Sequence, residues 1–190
     1  TGVELAMQVT GQSWPLAERY PLTLLIEVED GGTAEGLDLA DDVDAVVAVD
    51  AADKARLWAL RERQADAFSA VGGVAHHQDV SIPLARLAEW ADDMAARLAA
   101  MPRLRAFGVF GHVGDGNIHV ITVGEDADEA DRVVFEAVAD YGGSISAEHG
   151  VGRAKAHVLH LCRTPEEIAV MRAIKSALDP NGLLNPGVLL

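Results

Sequence analysis

The sequence predicts an α+β fold, a mostly antiparallel sheet covered by helices on one face. Three observations carry this expectation. Residues 104–123 contain two apolar strands separated by a tight glycine turn around Asp115-Gly116. Segments whose apolar residues recur every three or four positions flank that hairpin on both sides. With 190 residues, 49% of them hydrophobic, the chain can bury a core as one domain over residues 1–190 or as two small packed halves. Each half can be drawn as a split β-α-β unit, which makes two ferredoxin-like halves one form of this architecture.

Taken in order, residues 1–19 read as a poorly marked helical lead-in. The apolar run at 22–28 reads as a buried strand ended by Gly31-Gly32, and DAVVAVDA, after an acidic segment at 38–44, reads as a second strand. From Asp53 the period becomes helical: Leu57, Leu60, Phe68 and Val71 make one stripe, and Trp58, Arg61, Ala65 and Phe68 lie beside it. Gly72-Gly73 stops this helix, and a short strand through His76-His77-Gln78-Asp79 leads to Pro83, suited to a first helical turn. Leu84, Leu87, Ala91, Met94 and Leu98 mark the next helix, followed by paired strands at 104–112 and 117–123. Asp126, Asp128 and Glu129 then place negative charge where the backbone dipole of a helix favours it, ahead of a buried face made of Val134, Ala137, Val138 and Tyr141. After the loop GGSISAEHGVGRAK, Thr164-Pro165-Glu166-Glu167 has capping-box spacing before Ile168, Met171, Ile174 and Leu178. The closing DPNGLLNPGVLL is too rich in Pro, Gly and Asn to extend that helix.

A net charge of −15 repels a phosphate backbone or an anionic membrane surface, so nucleic acid is not an expected partner. Cys162 is the single cysteine, which excludes an intrachain disulfide framework and a four-cysteine zinc site and fits a reducing compartment. No stretch approaches the roughly 18 uninterrupted apolar residues of a membrane helix, and the start lacks the basic and apolar regions of a signal peptide. The opening on Thr1 reads as the edge of an excised piece.

The segment GHVGDGNIHV carries the first chemistry. A two-residue Asp-Gly turn pairs Gly114 with Asn117, Val113 with Ile118 and His112 with His119. The two histidines are then cross-strand partners with Cβ atoms about 4.5–5.5 Å apart, in reach of one metal ion. Val109, Phe110, Ile118, Val120 and Ile121 occupy both parities, so both hairpin faces are expected to be covered, and a polar pair held there needs a partner. Glu148 and His149 stand together in SAEHGVG between glycines, in a loop able to approach a ligand. Two imidazoles and one carboxylate make a common ligand set for a divalent catalytic site with open positions. The same residues admit plainer roles: strand histidines bonding carbonyls, and a helix cap beside a solvated histidine.

HVGDGNIH (112–119), GGSISAEHGVG (142–152) and DPNGLLNPG (179–187), with weaker support from WALRE (58–62) and DVSIP (79–83), lie in one order along nearly the whole chain. In these motifs the sequence resembles the C-terminal domain of the FAD-linked oxidases related to vanillyl-alcohol oxidase. The similar branch contains D-lactate dehydrogenase, the glycolate oxidase flavin subunit and D-2-hydroxyglutarate dehydrogenase. The resemblance implies a flavoenzyme acting on a D-2-hydroxy acid, with a divalent metal, zinc or manganese, holding the substrate's carboxylate and α-hydroxyl. Carried over by motif, His112, His119 and Glu148 would be the metal ligands and His149 the base. A metal lowers the pKa of a bound hydroxyl, so a neutral imidazole can take its proton while the Cα hydride leaves for a flavin.

Arg61 can clamp a substrate carboxylate bidentately or lie as a snorkelling surface residue. Relatives often carry a lysine where His77 stands, which makes His77 a candidate reader of a second anionic group. Many also have a lysine after NPG, where this chain continues as Val188-Leu189-Leu190. Asn117 is a candidate contact for cofactor or substrate and Asn185 for cofactor, although turn duty alone would explain either. GGTAEG (31–36) and GHVGDGN lack the strand, GxGxxG, helix context of a dinucleotide fingerprint. The resemblance therefore implies that FAD is held mainly by a domain upstream of residue 1, against which the uncovered sheet face would pack. A cytoplasmic location, or one peripheral to the inner membrane, follows as the expectation, and a homodimer stays open. Two other readings of the same residues are a stand-alone metal hydrolase built on His112, His119 and Glu148, and a non-catalytic interaction domain.

Overall fold

The computed structural model describes residues 2–28, 37 and 43–190. The chain divides into two compact units, Thr1–Ala70 and Val71–Leu190. In the first, helix α1 spans Gly2–Thr10, α2 spans Ala51–Glu62 and α3 spans Gln64–Ser69. Asp50 caps α2 by accepting the N–H of Asp53 at 2.8 Å. The single helix expected from Asp53 onward is broken at Arg63, which closes α2 and opens α3. Leu60 and Phe68 of the expected stripes are buried, and so are Ala6 and Ala67.

The two strands expected before α2 do not form. Residues 22–28 and 43–49 join no ladder among the described residues, and they expose apolar side chains, Leu22 by 78% and Val49 by 83%. An apolar run becomes a buried strand only where neighbouring strands receive its N–H and C=O groups and a layer covers its face. Here side chains hold the segments instead. Glu27 accepts from Lys54 and from Trp58 Nε1 (3.0 Å), and Asp44 accepts the Ala17 N–H (2.8 Å) and the Tyr20 hydroxyl (3.2 Å). The expected stop at Gly31-Gly32, the GGTAEG run and most of the acidic segment at 38–44 lie outside the described residues.

The second unit holds the sheet. Strands β1 (Ala75–Ser81), β2 (Leu104–His112) and β3 (Asn117–Gly124) are antiparallel throughout, in the order β1-β3-β2. Helix α4 (Leu87–Ala99), entered through a 3₁₀ turn at Leu84–Arg86, and helix α5 (Ala127–Asp140) supply the apolar side chains that meet one sheet face. Val80, Ile118 and Val120 from the strands pack with Trp90, Met94, Leu98, Val134 and Val138 from these helices. Strand side chains alternate, so Asp79, Asn117 and His119 project from the opposite face. The α+β expectation is met, and the candidate residues Asp79, Asn117 and His119 share the sheet face away from the α4 and α5 core.

The hairpin departs from the two-residue turn. His112 pairs with Asn117 and Phe110 with His119, with residues 113–116 forming the loop. The cause is tertiary: Gly116, at φ +72°, packs against the β1–α4 connection so closely that a Cβ would lie 2.3 Å from the Ile82 carbonyl oxygen. The Ile82 N–H donates to the Gly116 carbonyl (3.0 Å), and the Asp115 carboxylate folds back to accept the Asn117 N–H (2.9 Å). The register is therefore displaced by two residues from the expected one. Because the side-chain period is also two, His112 and His119 keep a common face as diagonal neighbours and lose only their direct pairing.

Helix α6 (Pro165–Leu178) carries the predicted capping box: Thr164 Oγ1 accepts the Glu167 N–H (3.2 Å) and the Glu167 carboxylate accepts the Thr164 N–H (2.8 Å). Its expected buried stripe differs, since Ile174 and Leu178 are exposed by 54% and 78%. No helix among the described residues is long and apolar enough to cross a membrane.

Candidate functional site

Asp79 organises the site. It lies on β1 directly opposite His119 of β3, and only 4% of it is exposed. Its Oδ2 accepts three consecutive backbone N–H groups, from Ala147 (3.1 Å), Glu148 (3.1 Å) and His149 (3.3 Å). Its Oδ1 has no hydrogen-bond partner and lies 3.9 Å from His119 Nδ1. Burial works against ionisation of this carboxyl, yet the N–H groups of Glu148 and His149 and the charges of His149 and Lys155 outweigh it and hold Asp79 below its ordinary value.

The loop that delivers Glu148 and His149 is fixed at several points. Ser81 and Ser144 exchange both backbone hydrogen bonds (3.0 and 2.9 Å), extending β1 into the loop. Gly143 makes this possible, because a Cβ there would sit 2.3 Å from the Ser81 carbonyl oxygen. Lys155 Nζ donates to the carbonyls of Asp79 (2.9 Å) and Ile145 (2.7 Å), and burial lowers its pKa against the opposing pull of Asp79 and Asp131. His149 Nδ1 then stands 3.8 Å from Asp79 Oδ2 and its Nε2 3.5 Å from Glu148 Oε1. Asp79, Glu148 and His149 each offer a ligand atom within 4.8 Å of the others. Two carboxylates and an imidazole, with the imidazole of His119 beside them, suit a borderline or hard divalent cation.

His119 is partly buried in a row of three strands, with Asp79 on one side and the Phe110 ring on the other at 5.6 Å between centroids. His112 is exposed, shares that sheet face, and falls outside the groupings of ligand atoms found among the described residues. Asn117 lies between Ser81 and His112 in register, and its Oδ1 is buried with no hydrogen-bond partner. His77 is exposed two residues before Asp79, on the same face. Asn185, at φ +45°, belongs to a tail returned to the site loop: Arg153 donates to the Pro186 carbonyl (2.8 Å) and the Leu189 N–H to Gly152 (3.1 Å). Arg61 stands on α2 of the first unit, partly buried, and burial lowers its guanidinium pKa.

Residues 4–189 match the family described as FAD linked oxidases, C-terminal domain. The chain belongs to that family. This FAD-linked oxidase domain is 41% identical over 139 residues to the mitochondrial D-2-hydroxyglutarate dehydrogenase of Bos taurus, covering 70% of this chain and 25% of that protein. Over 174 residues it is 35% identical to the mitochondrial D-2-hydroxyglutarate dehydrogenase of Arabidopsis thaliana, covering 89% and 29%. A D-2-hydroxyglutarate dehydrogenase of Xanthomonas citri pv. viticola is 33% identical over 213 residues, covering 94% and 42%. The chain thus spans between 25% and 42% of the length of these relatives.

The motifs point to His119, Glu148 and His149, whereas Asp79 enters the sequence reading only as part of the strand through residues 76–79 and of DVSIP, with no site role. The available signal was a lone carboxylate beside the apolar Val80 in a strand, a position that demands donors once buried. Lys155, at the end of the loop GGSISAEHGVGRAK, was passed over as well. A second grouping, His76 with Asp128 and Asp131, lies on the helix side of the sheet, where His76 Nδ1 and Asp131 (2.7 Å) tie β1 to α5. An open recess of about 470 Å³ against the hairpin turn, lined by Ser81, Ile82, Asp115, Gly143, Ser144 and Arg163 among others, contains none of the site residues.

Proposed function

We propose that this domain is the substrate-binding half of an FAD-dependent D-2-hydroxy acid dehydrogenase, and that D-2-hydroxyglutarate, the substrate in its relatives' names, is the first acid to test. The observation that carries the reading is the gathering of His119, Glu148 and His149 around Asp79 in a chain that matches the FAD-linked oxidase C-terminal family. The donors suit the implied metal: the His119 imidazole and the Glu148 carboxylate both lie beside the buried Asp79. His112, His119 and Glu148 are the proposed ligands of a zinc or manganese ion. When bound, the metal would fix and acidify the substrate's α-hydroxyl, and the flavin would accept hydride from Cα.

The chain's own residues would do the rest. His149 takes the hydroxyl proton on a ring nitrogen, its backbone clamped by Asp79 and its ring beside the carboxylates of Asp79 and Glu148. Asn117, with a free buried amide oxygen, can receive a hydrogen bond from substrate or cofactor. Arg61 is the proposed clamp for a substrate carboxylate, and His77 is the position proposed to read the acid's second anionic group. FAD would be held mainly by an upstream domain, with Asn185 contributing from the tail. The test is anaerobic mixing of the full-length flavoprotein with D-2-hydroxy acids: oxidised-flavin absorbance should bleach with a D-2-hydroxy acid, and His149→Ala should slow that bleaching by at least about a hundredfold. A His149→Ala enzyme as fast as wild type would end the assignment.

A further inference from the structure

We infer that Asp79 is the positioning residue of this site, one carboxylate oxygen fixing the backbone that carries Glu148 and His149 and the other orienting the ring of His119. The inference rests on the metal reading above and adds a role that the motif comparison does not supply.

Four observations converge on it. Asp79 is buried and its two oxygens face different partners: Oδ2 is saturated by three loop N–H groups, while Oδ1 is left without a bond and is directed at His119 Nδ1, 3.9 Å away. That gap is about 1 Å longer than a hydrogen bond, and orienting the imidazole requires it to close. The pair is also in direct cross-strand register, so their backbones are held by the β1–β3 ladder. On the far side of His119 the Phe110 ring, tilted by 47°, limits how the imidazole can turn. Finally, Lys155 pins the carbonyls of both Asp79 and Ile145, which fixes the crossing of strand and loop.

The chemical consequence concerns the tautomer of His119. A carboxylate facing Nδ1 favours a proton there and leaves the lone pair of Nε2 for a metal, the arrangement by which carboxylates tune metal-bound histidines. A purely structural Asp79 would cap the loop and leave the tautomer alone. Asp79→Asn separates the two roles. Its amide oxygen can still accept the loop N–H groups, but its NH2 then faces His119 as a donor and favours the reverse tautomer, with the proton on Nε2.

The experiment uses the full-length flavoprotein with histidine labelled in both ring nitrogens, the His119 signals being assigned by their loss in His119→Gln. Metal-free wild type should show His119 protonated on Nδ1, and Asp79→Asn should move the proton to Nε2. The same variant should bind Zn2+ tenfold to a hundredfold more weakly, with its flavin spectrum close to wild type and the melting temperature of the metal-free protein above that of Asp79→Ala. Asp79→Ala, which removes the loop cap as well, should lose thermal stability in addition. An Asp79→Asn protein with the wild-type tautomer, or with wild-type Zn2+ affinity, overturns the inference. If full-length wild type binds neither Zn2+ nor Mn2+ while the tautomer still follows residue 79, the metal assignment fails and the orientation of His119 by Asp79 stands.

Discussion

Burial alone would push the Asp79 carboxyl towards its neutral form; the loop N–H groups and nearby positive charges reverse that and keep it below its ordinary value. Asp179 is lowered too, by Lys175 and by the N–H groups of Leu184 and Leu183 that it accepts at the start of the tail, against burial. The sign follows directly. A carboxyl whose folded pKa is depressed contributes stability above its unfolded value of about 3.9, and that contribution is lost as pH falls through the folded value. Thermal melts between pH 3 and pH 7 should therefore be flat at the upper end and fall below about pH 4, with a shallower fall in Asp179→Asn; an unchanged acid slope in that variant would contradict the assignment. At Gly116 the argument is steric. Alanine there must take φ +72° and meet the Ile82 carbonyl, so equilibrium unfolding should register a loss of about 1–3 kcal/mol or more. The candidate site residues His119, Glu148 and His149 were named from their motifs, whereas Asp79 and Lys155 are brought beside them only by the crossing of strand and loop.

Helical elements were legible because amphipathic spacing is local. The α4 stripe named Met94 and Leu98 correctly, and Trp90, also fully buried, completes its face. Trp90→Ala should cost about 3–5 kcal/mol in denaturant unfolding, and a cost below about 1 kcal/mol would remove α4 from the core as described. Strands are less local. Residues 22–28 are as apolar as a core strand, but composition cannot supply a neighbouring ladder, and Leu22, Leu24 and Ile26 remain exposed. The hairpin shows the same limit in another form. Its strand ends were readable, but its register was not, because the loop length is set by Gly116 docking on Ile82, a residue more than thirty positions earlier.

For the whole molecule, membership of the FAD-linked oxidase C-terminal family was legible because three motifs recur in order along the chain. What the letters could not fix was how loop 147–149 is laid across β1 by a single carboxylate. With FAD held mainly by an upstream domain, as proposed, the purified 190-residue chain should be colourless and inactive on hydroxy acids; a yellow, active fragment would contradict this. The most direct measurement is elemental analysis of the full-length protein beside its His112→Ala and His119→Ala variants. The account predicts stoichiometric zinc or manganese in wild type and loss of most of it in each variant, with FAD retained. Stoichiometric metal in both variants would contradict the claim that these two histidines hold it.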